Sequence, residues 1–519
     1  MKIIFRLISI SFFLYALSPK NCFAQIDASD VAIVKGASIK KEVSTKISTI
    51  IGLDKAGNAY AILSEGRYGT THRLASFDAS MKQVNSVEII LNEQDKELFF
   101  ETVLLINDQL VLFSSFFNKK TDKRVVFTQT VDKKTLLPNK NIKVAGELPY
   151  IGVHIAREQY QDMYIKLSKD SSKICLFQHS FYSTDKVWFM VLDGNMNLLW
   201  QTEQTLKPND VNKFMSFDID NKGNVFASFK QFQKEIYLAE GEAAPFYYML
   251  GIFDQGKTIK KFKLGIKEKE IRRLKVSVTN NNDIICTGFF YKTSTESNWG
   301  SCFFKINGLS RTIEIATFKE FDLGLLATKN TVEEREAIND KLKNGKPFSE
   351  FSELSTSVSI DDKNDVFLFG ESNYAGEFAG SFGGIFVIKY SDSGNIIWSE
   401  KILKGQIGNF HSSYSAYSMV LFKNNVYILF NDAINNFNLK EGAEINYNNP
   451  SNESMFALVK IDTNGVQTKK ALFANEKNIM VKPEVFFTQL NQNKLLVVGG
   501  ITDFYLHDDY YNLNSFTFK

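Results

Sequence analysis

The chain has few cysteines and, after its first 24 residues, no long apolar segment. Its cysteines are Cys22, Cys175, Cys286 and Cys302, too few for a disulfide-rich scaffold. No later stretch reaches 18 uninterrupted apolar residues, so we expect no transmembrane segment. The motifs Gly-x-Ser-x-Gly, His-Glu-x-x-His and Cys-x-x-Cys are also absent, and the sequence therefore offers no familiar catalytic signature.

The cysteines that follow the first 24 residues leave two interpretations open. Cys286 and Cys302 lie symmetrically about position 294, between two runs that read as a hairpin. They could form a disulfide across that hairpin, or both could be unlinked buried thiols. Cys175 lies in the strand-like run Ile-Cys-Leu-Phe, and we expect it in the core.

The N-terminal residues 1–24 have the pattern of a secretory signal peptide. Lys2 and Arg6 precede the apolar run Leu7–Leu17, which is too short to span a bilayer. The residues before Cys22 lack the small-residue run of lipoproteins, so we predict plain cleavage between Ala24 and Gln25. The mature protein is then expected to be secreted or to lie in the periplasm or cell envelope.

The charge of the mature chain argues against a polyanion-binding class. The signal carries three of the 61 basic residues and no acid, which leaves 58 basic residues against 58 acidic ones. Nucleic-acid binding depends on a clustered positive field, and a balanced chain does not indicate one. We therefore expect no nucleic-acid partner.

A two-part unit recurs along residues 25–519. Its first half is a hydrophobic run interrupted by a polar turn, as in Ile50–Leu63 and Phe217–Phe229, and its second half repeats the pattern, as in Arg73–Val84 and Phe189–Trp200. The runs are β-branched or aromatic and the turns are rich in Asp, Asn and Gly, which is typical of β-hairpins. A self-similar period of this length predicts a β-propeller.

The hairpin count predicts eight blades. Eight first-half turns fall near Asn58, Gln109, Lys173, Asn224, Asp283, Asp365, Asn425 and Lys494. Seven second-half turns fall near Asp78, Asp132, Asp193, Asp254, Asn307, Asp392 and Asp462. The run Val31–Glu42 has no hairpin partner, so we expect it to complete the last blade and close the ring, because closure removes exposed sheet edges. A seven-bladed ring with one degenerate unit is the alternative.

Two long insertions interrupt the repeat. Residues 322–353 contain a predicted helix, with Thr331 and Glu334 as a capping pair and Gly345 and Pro347 after its end. Residues Asn431–Ser454 are rich in Asn without periodicity, and we expect an exposed, mobile loop there.

The fold class is thus all-β, and its topology favours one face for function. If each blade begins at its inner strand, the short Asp/Gly turns lie on one face of the disc and the longer, more varied connections lie on the other. Variable loops on a repetitive scaffold usually carry binding residues. The candidates on the long-loop face are His72, Arg73, His154, Arg157, His179, Trp299, His411 and His507.

No cofactor is expected. The patterns Asp218-Ile-Asp220 and Asp193-Gly-Asn195-Met-Asn197 approach the spacing of calcium loops, but they lack the acid at the twelfth position and fit tight turns. His507-Asp508-Asp509 would suit a metal or an acid–base pair, but we favour the interpretation that these are solvated loop residues.

The turn motifs resemble those of exported bacterial β-propeller repeat proteins of the SBBP and quinoprotein-like types. Asp54–Tyr60, Asp220–Phe226 and Ser391–Trp398 carry the resemblance, and the ends at Trp200 and Trp398 are similar to tryptophan-docking hairpins. Quinoprotein dehydrogenases bind a quinone and calcium, but only two tryptophan ends match here. The signal also resembles export signals of Bacteroidota.

These observations favour a monomeric, non-catalytic binding or scaffold protein. Its long-loop face is expected to hold a protein or glycan partner, since a fold alone assigns no chemistry. The alternative is a secreted hydrolase or lyase that acts on glycans, with its active site on the same face.

Overall fold

The structure is a computed structural model of the 519-residue chain. It describes residues 30–40, 45–66, 71–93, 96–118, 120–149, 163–179, 186–206, 212–232, 246–265, 269–292, 298–327, 332–346, 354–375, 380–408, 414–437, 454–474, 479–488, 493–501 and 510–519.

The chain folds into an eight-bladed β-propeller, as the hairpin count predicts, and the seven-bladed alternative is wrong. Each blade is an antiparallel sheet whose four main strands follow one another in space. Two N-terminal strands precede the first blade: β1 (Val31–Lys35) and β2 (Ile39–Lys40). Blade 1 then contains β3 (Thr45–Leu53), β4 (Ala59–Glu65), β5 (Thr71–Phe77) and β6 (Gln83–Glu88).

Blades 2 to 4 continue the pattern. The short ladder β7 (Asn92–Glu93) and β8 (Lys96–Glu97) leads into blade 2, with β9 (Phe99–Ile106), β10 (Gln109–Asn118), β11 (Lys123–Val131) and β12 (Lys143–Pro149). Blade 3 contains β13 (Met163–Leu167), β14 (Lys173–His179), β15 (Lys186–Asp193) and β16 (Leu198–Thr205). Blade 4 contains β17 (Asn212–Ile219), β18 (Val225–Phe232), β19 (Phe246–Asp254) and β20 (Lys257–Leu264).

Blades 5 to 8 complete the ring. Blade 5 contains β21 (Lys269–Val278), β22 (Ile284–Lys292), β23 (Asn298–Ile306) and β24 (Ile313–Glu320). Blade 6 contains β25 (Leu354–Ile360), β26 (Val366–Ala375), β27 (Gly380–Tyr390) and β28 (Ile396–Ile402), with β29 (Gln406–Gly408) added to β27. Blade 7 contains β30 (Ser418–Phe422), β31 (Asn425–Ala433), β32 (Ser454–Ile461) and β33 (Gln467–Ala474). Blade 8 contains β34 (Ile479–Thr488), β35 (Lys494–Ile501) and β36 (Tyr510–Phe518).

The first strand of each blade is its inner strand. First strands of neighbouring blades contact one another, as in the pairs β17 with β21, β21 with β25, and β3 with β34. These strands surround a central channel. The chain therefore enters every blade at the channel and leaves it at the rim, which is the direction that the sequence argument assumes.

Hydrophobic packing between neighbouring blades holds the ring together. Every one of the eight seams contains a buried apolar cluster, including the seam between blades 8 and 1. On β18, Val225 and Ala227 pack toward blade 3 while Phe226 packs toward blade 5. Alternate residues of the middle strands thus pack into opposite seams. These strands are therefore apolar at almost every position.

The N-terminal strand completes the last blade, as predicted. β1 pairs antiparallel with β36, with Val31 opposite Phe518 and Lys35 opposite Asn514, and β2 extends the pairing. Val31 is 2% exposed in the core between blades 7 and 8. The edge of β36 is therefore covered by the beginning of the chain.

Aspartates fix the short turns within the hairpins. The Oδ1 atom of Asp54 accepts the backbone N–H groups of Ala56 at 3.0 Å and Asn58 at 2.9 Å, and Asp220 does the same for Lys222 and Asn224. Gly57 adopts φ +86, a left-handed conformation that favours glycine. The Asp-x-x-Gly-Asn spacing of the sequence is thus the chemistry of this turn.

Two helices lie between blades 5 and 6: α1 (Leu323–Leu326) and α2 (Val332–Lys343). The carboxylate of Asp322 caps α1 by accepting the N–H of Leu325 at 2.8 Å. Gly345 follows α2 with φ +62, a conformation common after a helix C-terminus. The capping residue proposed for this helix, Thr331, lies outside the described residues.

The predicted exposed loop over residues 431–454 is wrong at its start. β31 continues to Ala433 and a 3₁₀ helix covers Ile434–Asn436. Asn431 and Asp432 are fully buried. The Asn431 side chain donates to the Val481 carbonyl, and Asp432 accepts a hydrogen bond from Asn436. No pattern in the sequence indicates these partners. Residues 438–453 lie outside the described part of the chain.

The three described cysteines are free and buried, so the unlinked alternative holds for Cys286 and Cys302. Cys286 lies opposite Phe304, and Cys302 lies opposite Gly288. Cys175 is in the core, as expected. Among the described residues, no helix has both the length and the apolar character needed to cross a membrane.

Candidate functional site

The two faces of the disc differ in their connections. The turn face carries the short turns within hairpins, such as 54–58 and 220–224, and the long-loop face carries the connections between hairpins and between blades, such as 89–98 and 403–417. Most of the residues outside the described ranges fall, in the sequence, between hairpins or between blades. The described part of that face is formed by the strand ends and by the mouth of the channel.

His72 and Arg73 lie at the start of β5 on blade 1, in a strand rather than a loop. The His72 ring lies 4.5 Å from that of Phe100 on blade 2, and its Nδ1 atom is buried without a hydrogen-bond partner among the described residues. Burial lowers the pKa of His72 and so favours the neutral imidazole.

Arg73 is engaged within its own blade. Its Nε atom donates to Ser86 Oγ at 3.1 Å, its Nη2 atom donates to the Ser86 carbonyl at 2.9 Å, and Glu65 lies 3.6 Å away. These bonds hold the guanidinium along β6. Arg73 therefore ties two strands of blade 1 together.

Trp299 is part of the core of blade 5. It is 3% exposed, and its Nε1 atom donates to Glu320 Oε2 at 3.1 Å. It is four blades away from His72, so the structure does not bring these two candidates together. His179 is the last residue of β14, but its side chain is not described. Four further candidates lie outside the described residues: His154, Arg157, His411 and His507.

A buried polar cluster, which we call the 6–7 junction, joins blades 6, 7 and 8. Lys404 forms an ion pair with Glu371 and also donates to the Ser415 carbonyl at 3.2 Å. Burial raises the pKa of Glu371 and lowers that of Lys404. Asn431 donates to the carbonyls of Tyr414 at 3.0 Å and Val481 at 2.7 Å. These contacts fasten the connection between blades 6 and 7 to three sheets.

Six cations lie on the first strands of blades 3 to 5 or on the strand next to them. We call the following six residues the channel cluster: Lys166, Lys213, Lys230, Arg272, Arg273 and Lys275. Lys213 and Arg273 are exposed and the other four are partly buried. Burial and the nearby cations Lys166 and Arg273 lower the pKa of Lys275.

Lys230 lies near the long-loop end of β18. Burial lowers its pKa to about 8, and Arg272 and Lys213 add to this effect while Glu270 opposes it. Its Nζ atom lies 4.3 Å from the centre of the Phe246 ring, within cation–π range. The Arg272 guanidinium lies 4.5 Å from the ring of Tyr291 in the same way. Cations and aromatic rings thus alternate at the channel mouth.

Sequence reasoning missed the channel cluster because single lysines and arginines are common among 61 basic residues. A signal was nevertheless present. On β21, Arg273, Lys275 and Ser277 alternate with the buried residues Leu274, Val276 and Val278. Polar alternation on a first strand indicates residues that face the channel.

The aspartate patterns considered for calcium are engaged in their turns. Asp193 Oδ1 accepts the N–H groups of Asn195 at 2.9 Å and Asn197 at 2.8 Å. Asp218 forms an ion pair with Lys166 at 2.9 Å. Within the described ranges, no three His, Cys, Asp or Glu side chains are grouped so as to hold a metal ion.

Comparisons with known proteins add little to this description. No family model matches the chain, and no curated protein matches it significantly.

Solved structures that are similar include the β-propeller domain of the trilobed protease from Pyrococcus furiosus. It is 11% identical, with a TM-score of 0.37, over 82% of this chain and 97% of that one. A protein of unknown function from Dyadobacter fermentans is 10% identical, with a TM-score of 0.32, over 70% of this chain and 96% of that one.

The polysaccharide lyase Uly1 is 8% identical, with a TM-score of 0.38, over 91% of this chain and 90% of the lyase. Identities this low say nothing about activity. The eight-bladed propeller is established by the strand pairing of this chain itself.

Proposed function

We propose that this protein is an exported, non-catalytic binding or scaffold protein whose long-loop face holds a protein or glycan partner. The observation that carries the proposal is the channel mouth of blades 4 and 5. There Lys230 and Arg272 lie against aromatic rings, on a ring whose last blade is completed by the N-terminal strand. Concave sites that combine aromatic surface with a few charged groups are typical of ligand binding.

The scaffold suits recognition because it fixes these groups in place. Each of the eight seams is packed with apolar residues, so the inner strands present their side chains on a rigid wall. Preorganised side chains lose little conformational freedom on binding, which favours affinity. The same proposal includes export by the signal of residues 1–24. It also includes a relation to SBBP-type and quinoprotein-like propellers.

One observation favours the alternative, a secreted hydrolase or lyase acting on glycans. His72 has a buried Nδ1 atom without a hydrogen-bond partner among the described residues, and burial keeps its imidazole neutral. A neutral histidine is able to act as a general base. The experiment must therefore separate binding from turnover.

The test uses the purified mature protein and a panel of neutral and acidic polysaccharides, with both retention and release of new chain ends measured. Retention of a glycan without cleavage, or a cross-linked protein partner lost in Lys230→Glu, supports the proposal. Cleavage that His72→Ala abolishes would replace it with the enzyme alternative. If neither glycans nor cross-linked proteins bind, the proposal is wrong.

A further inference from the structure

We propose that the channel cluster is a binding site for an acidic sugar residue, carboxylated or sulfated, at the end of a glycan chain that enters from the long-loop face. This inference rests on the proposed function and names the ligand class of the same site. It follows from four observations, which concern the placement of the cations, their charge balance, the bonded turns on the opposite face and an exposed ring.

The cations line the channel from its mouth inward. Lys213 and Lys230 lie near the long-loop ends of β17 and β18, and Arg273 lies at the middle of β21. Lys275 follows further along β21, on the same side of the strand as Arg273. Lys166, on β13 two blades away, pairs with Asp218 Oδ1 at 2.9 Å, and Asp218 Oδ2 accepts the Val278 N–H of β21 at 2.9 Å, so Asp218 links the strand of Lys166 to the strand of Lys275.

The cluster has more positive than negative charge. Asp218 pairs with Lys166 at 2.9 Å, and Glu270 pairs with Arg272 at 2.7 Å. No carboxylate of the described residues forms an ion pair with the other lysines of the cluster, which are Lys213, Lys230 and Lys275. Like charges held together and partly removed from water destabilise the folded protein, and a bound anion relieves that cost.

Hydrogen bonds connect the first turns of blades 3, 5 and 6 at the turn face. Lys169, in the first turn of blade 3, donates to Asn280 Oδ1 in the first turn of blade 5 at 2.8 Å. The N–H of Asn280 in turn donates to Asn364 Oδ1 of blade 6 at 3.0 Å. These bonds cover part of the turn face beside the cluster, and the proposal therefore has the ligand enter from the long-loop face. A site approached from one side fits the end of a chain rather than a strand that passes through.

An exposed aromatic ring lies beside the cations. Tyr164 is 43% exposed and occupies β13 two residues before Lys166, on the same side of the strand. Its ring packs 5.4 Å from that of Phe214, which supports it from behind. An aromatic face beside a cation matches a sugar ring that carries an anionic group, because the ring covers the apolar face while the cation meets the charge.

The test measures the affinity of the mature protein for an oligogalacturonate, for its methyl ester and for a heparin-derived oligosaccharide. We expect binding of the carboxylated or the sulfated oligosaccharide, or both, and about tenfold or greater weakening by esterification. Lys275→Met should weaken binding by a similar factor, and Tyr164→Ala should weaken it as well. The matched control is Lys257→Met, which removes an exposed lysine on the turn face.

Folding is checked separately. Because Lys275→Met removes a partly buried cation that has other cations as neighbours, its melting temperature should equal or exceed that of the parent protein. Loss of binding then cannot come from unfolding. Affinity should also fall as sodium chloride rises from about 50 to 200 mM, since the contacts are charged.

Several results would overturn the inference. Equal affinity for the esterified oligosaccharide, or no effect of Lys275→Met on affinity, would show that the cations do not take part in ligand binding. Equal affinity for an oligothymidylate would make the cluster a general polyanion surface. If a neutral glycan or a protein binds the long-loop face while Lys275→Met changes nothing, the inference fails and the proposed function stands.

Discussion

The backbone N–H of Lys519 donates to the carbonyl of Asp30 at 2.9 Å, so the last residue of the chain meets the first described one. Lys470 adds an ion pair to the Asp30 carboxylate at 3.2 Å from the outer strand of blade 7. The ring is thus closed by non-covalent contacts between residues nearly 500 positions apart. Several expectations depend on this junction.

Removal of β1 should destabilise the whole ring. A mature chain that starts at Gly36 exposes the edge of β36 and loses Val31 from the core between blades 7 and 8. We expect a clear fall in the melting temperature and concentration-dependent aggregation, measured by calorimetry and light scattering. The control starts at Asp30 and keeps β1. Equal melting of the two truncated chains would show that β1 does not close the ring.

Gly36→Ala should weaken the seam between blades 8 and 1. A Cβ atom at this position would lie 2.4 Å from the Leu513 carbonyl oxygen and 2.6 Å from that of Met81, both backbone atoms. Relieving these overlaps requires a shift of the two blades, which typically costs about 1–3 kcal/mol. Urea denaturation measures the change. Val34→Ala, at a half-exposed side chain of the same strand, should have much less effect.

The ion pair of the 6–7 junction should depend on both partners. Glu371→Leu leaves the Lys404 ammonium buried without its carboxylate, and we expect a loss of about 3–5 kcal/mol in the free energy of unfolding. Lys404→Met combined with Glu371→Leu should recover much of this loss, because no unpaired charge remains.

The matched control for that experiment is the exposed pair Lys123–Glu147, 2.8 Å apart. Glu147→Leu there should change the free energy of unfolding by less than about 1 kcal/mol. If the double variant at the junction is as unstable as Glu371→Leu alone, the pair contributes through packing and the electrostatic account is wrong.

Lys230 should make stability depend on pH above neutrality. Its pKa is lowered to about 8 in the folded state, against an ordinary value of 10.5 in the unfolded chain. Below pH 8 both states are protonated and the folded state carries the cost of the buried charge. Between pH 8 and 10.5 the unfolded state binds more protons, so stability rises with pH.

Lys230→Met tests this dependence. It should be more stable than the parent protein at pH 7, by about 1–3 kcal/mol, and should lose part of the rise between pH 8 and 10.5. Denaturation curves at pH 7, 8, 9 and 10 measure both effects. The charged neighbours Lys213, Glu270, Arg272 and Arg273 remain in place in both proteins. Parallel pH curves for the two proteins would contradict the assignment.

His72 should remain neutral at pH 7. Burial lowers its pKa, so the unfolded chain binds a proton first as the pH falls through about 6.5, and stability decreases from there. Replacing the other four histidines by glutamine leaves one imidazole whose titration NMR can follow. A midpoint above 6.5 would contradict the burial of the ring seen against Phe100.

The sequence predicts the fold well because its signals are local. Each polar turn of the first kind, such as Asp54–Asn58, marks one hairpin, and counting the eight first-half turns gives eight blades. The unpaired run at Val31 follows from the same count. Element ends are less well determined: Trp299 and His72 lie in strands although loops were expected, because strand ends shift by a few residues without changing the pattern.

The candidate site, in contrast to the fold, could not be predicted from the sequence. Lys166 and Lys275 are 109 positions apart and belong to blades that are not neighbours. Only the curvature of the ring brings them together, and no short motif encodes curvature. The 6–7 junction is unpredictable for the same reason, since Asn431 meets Val481 only after two blades have packed.

The pairing of β1 with β36 also sets an order in time. A ribosome makes β1 long before β36, so the first strand of the propeller has no native partner until β36 has been made. Blades 1 to 7 can form one after another as they emerge, whereas blade 8 waits for the final residues. Long-range pairings of this kind are slow to form. Closure of the ring is therefore the last step of its assembly, and a chain that lacks β36 carries an open ring.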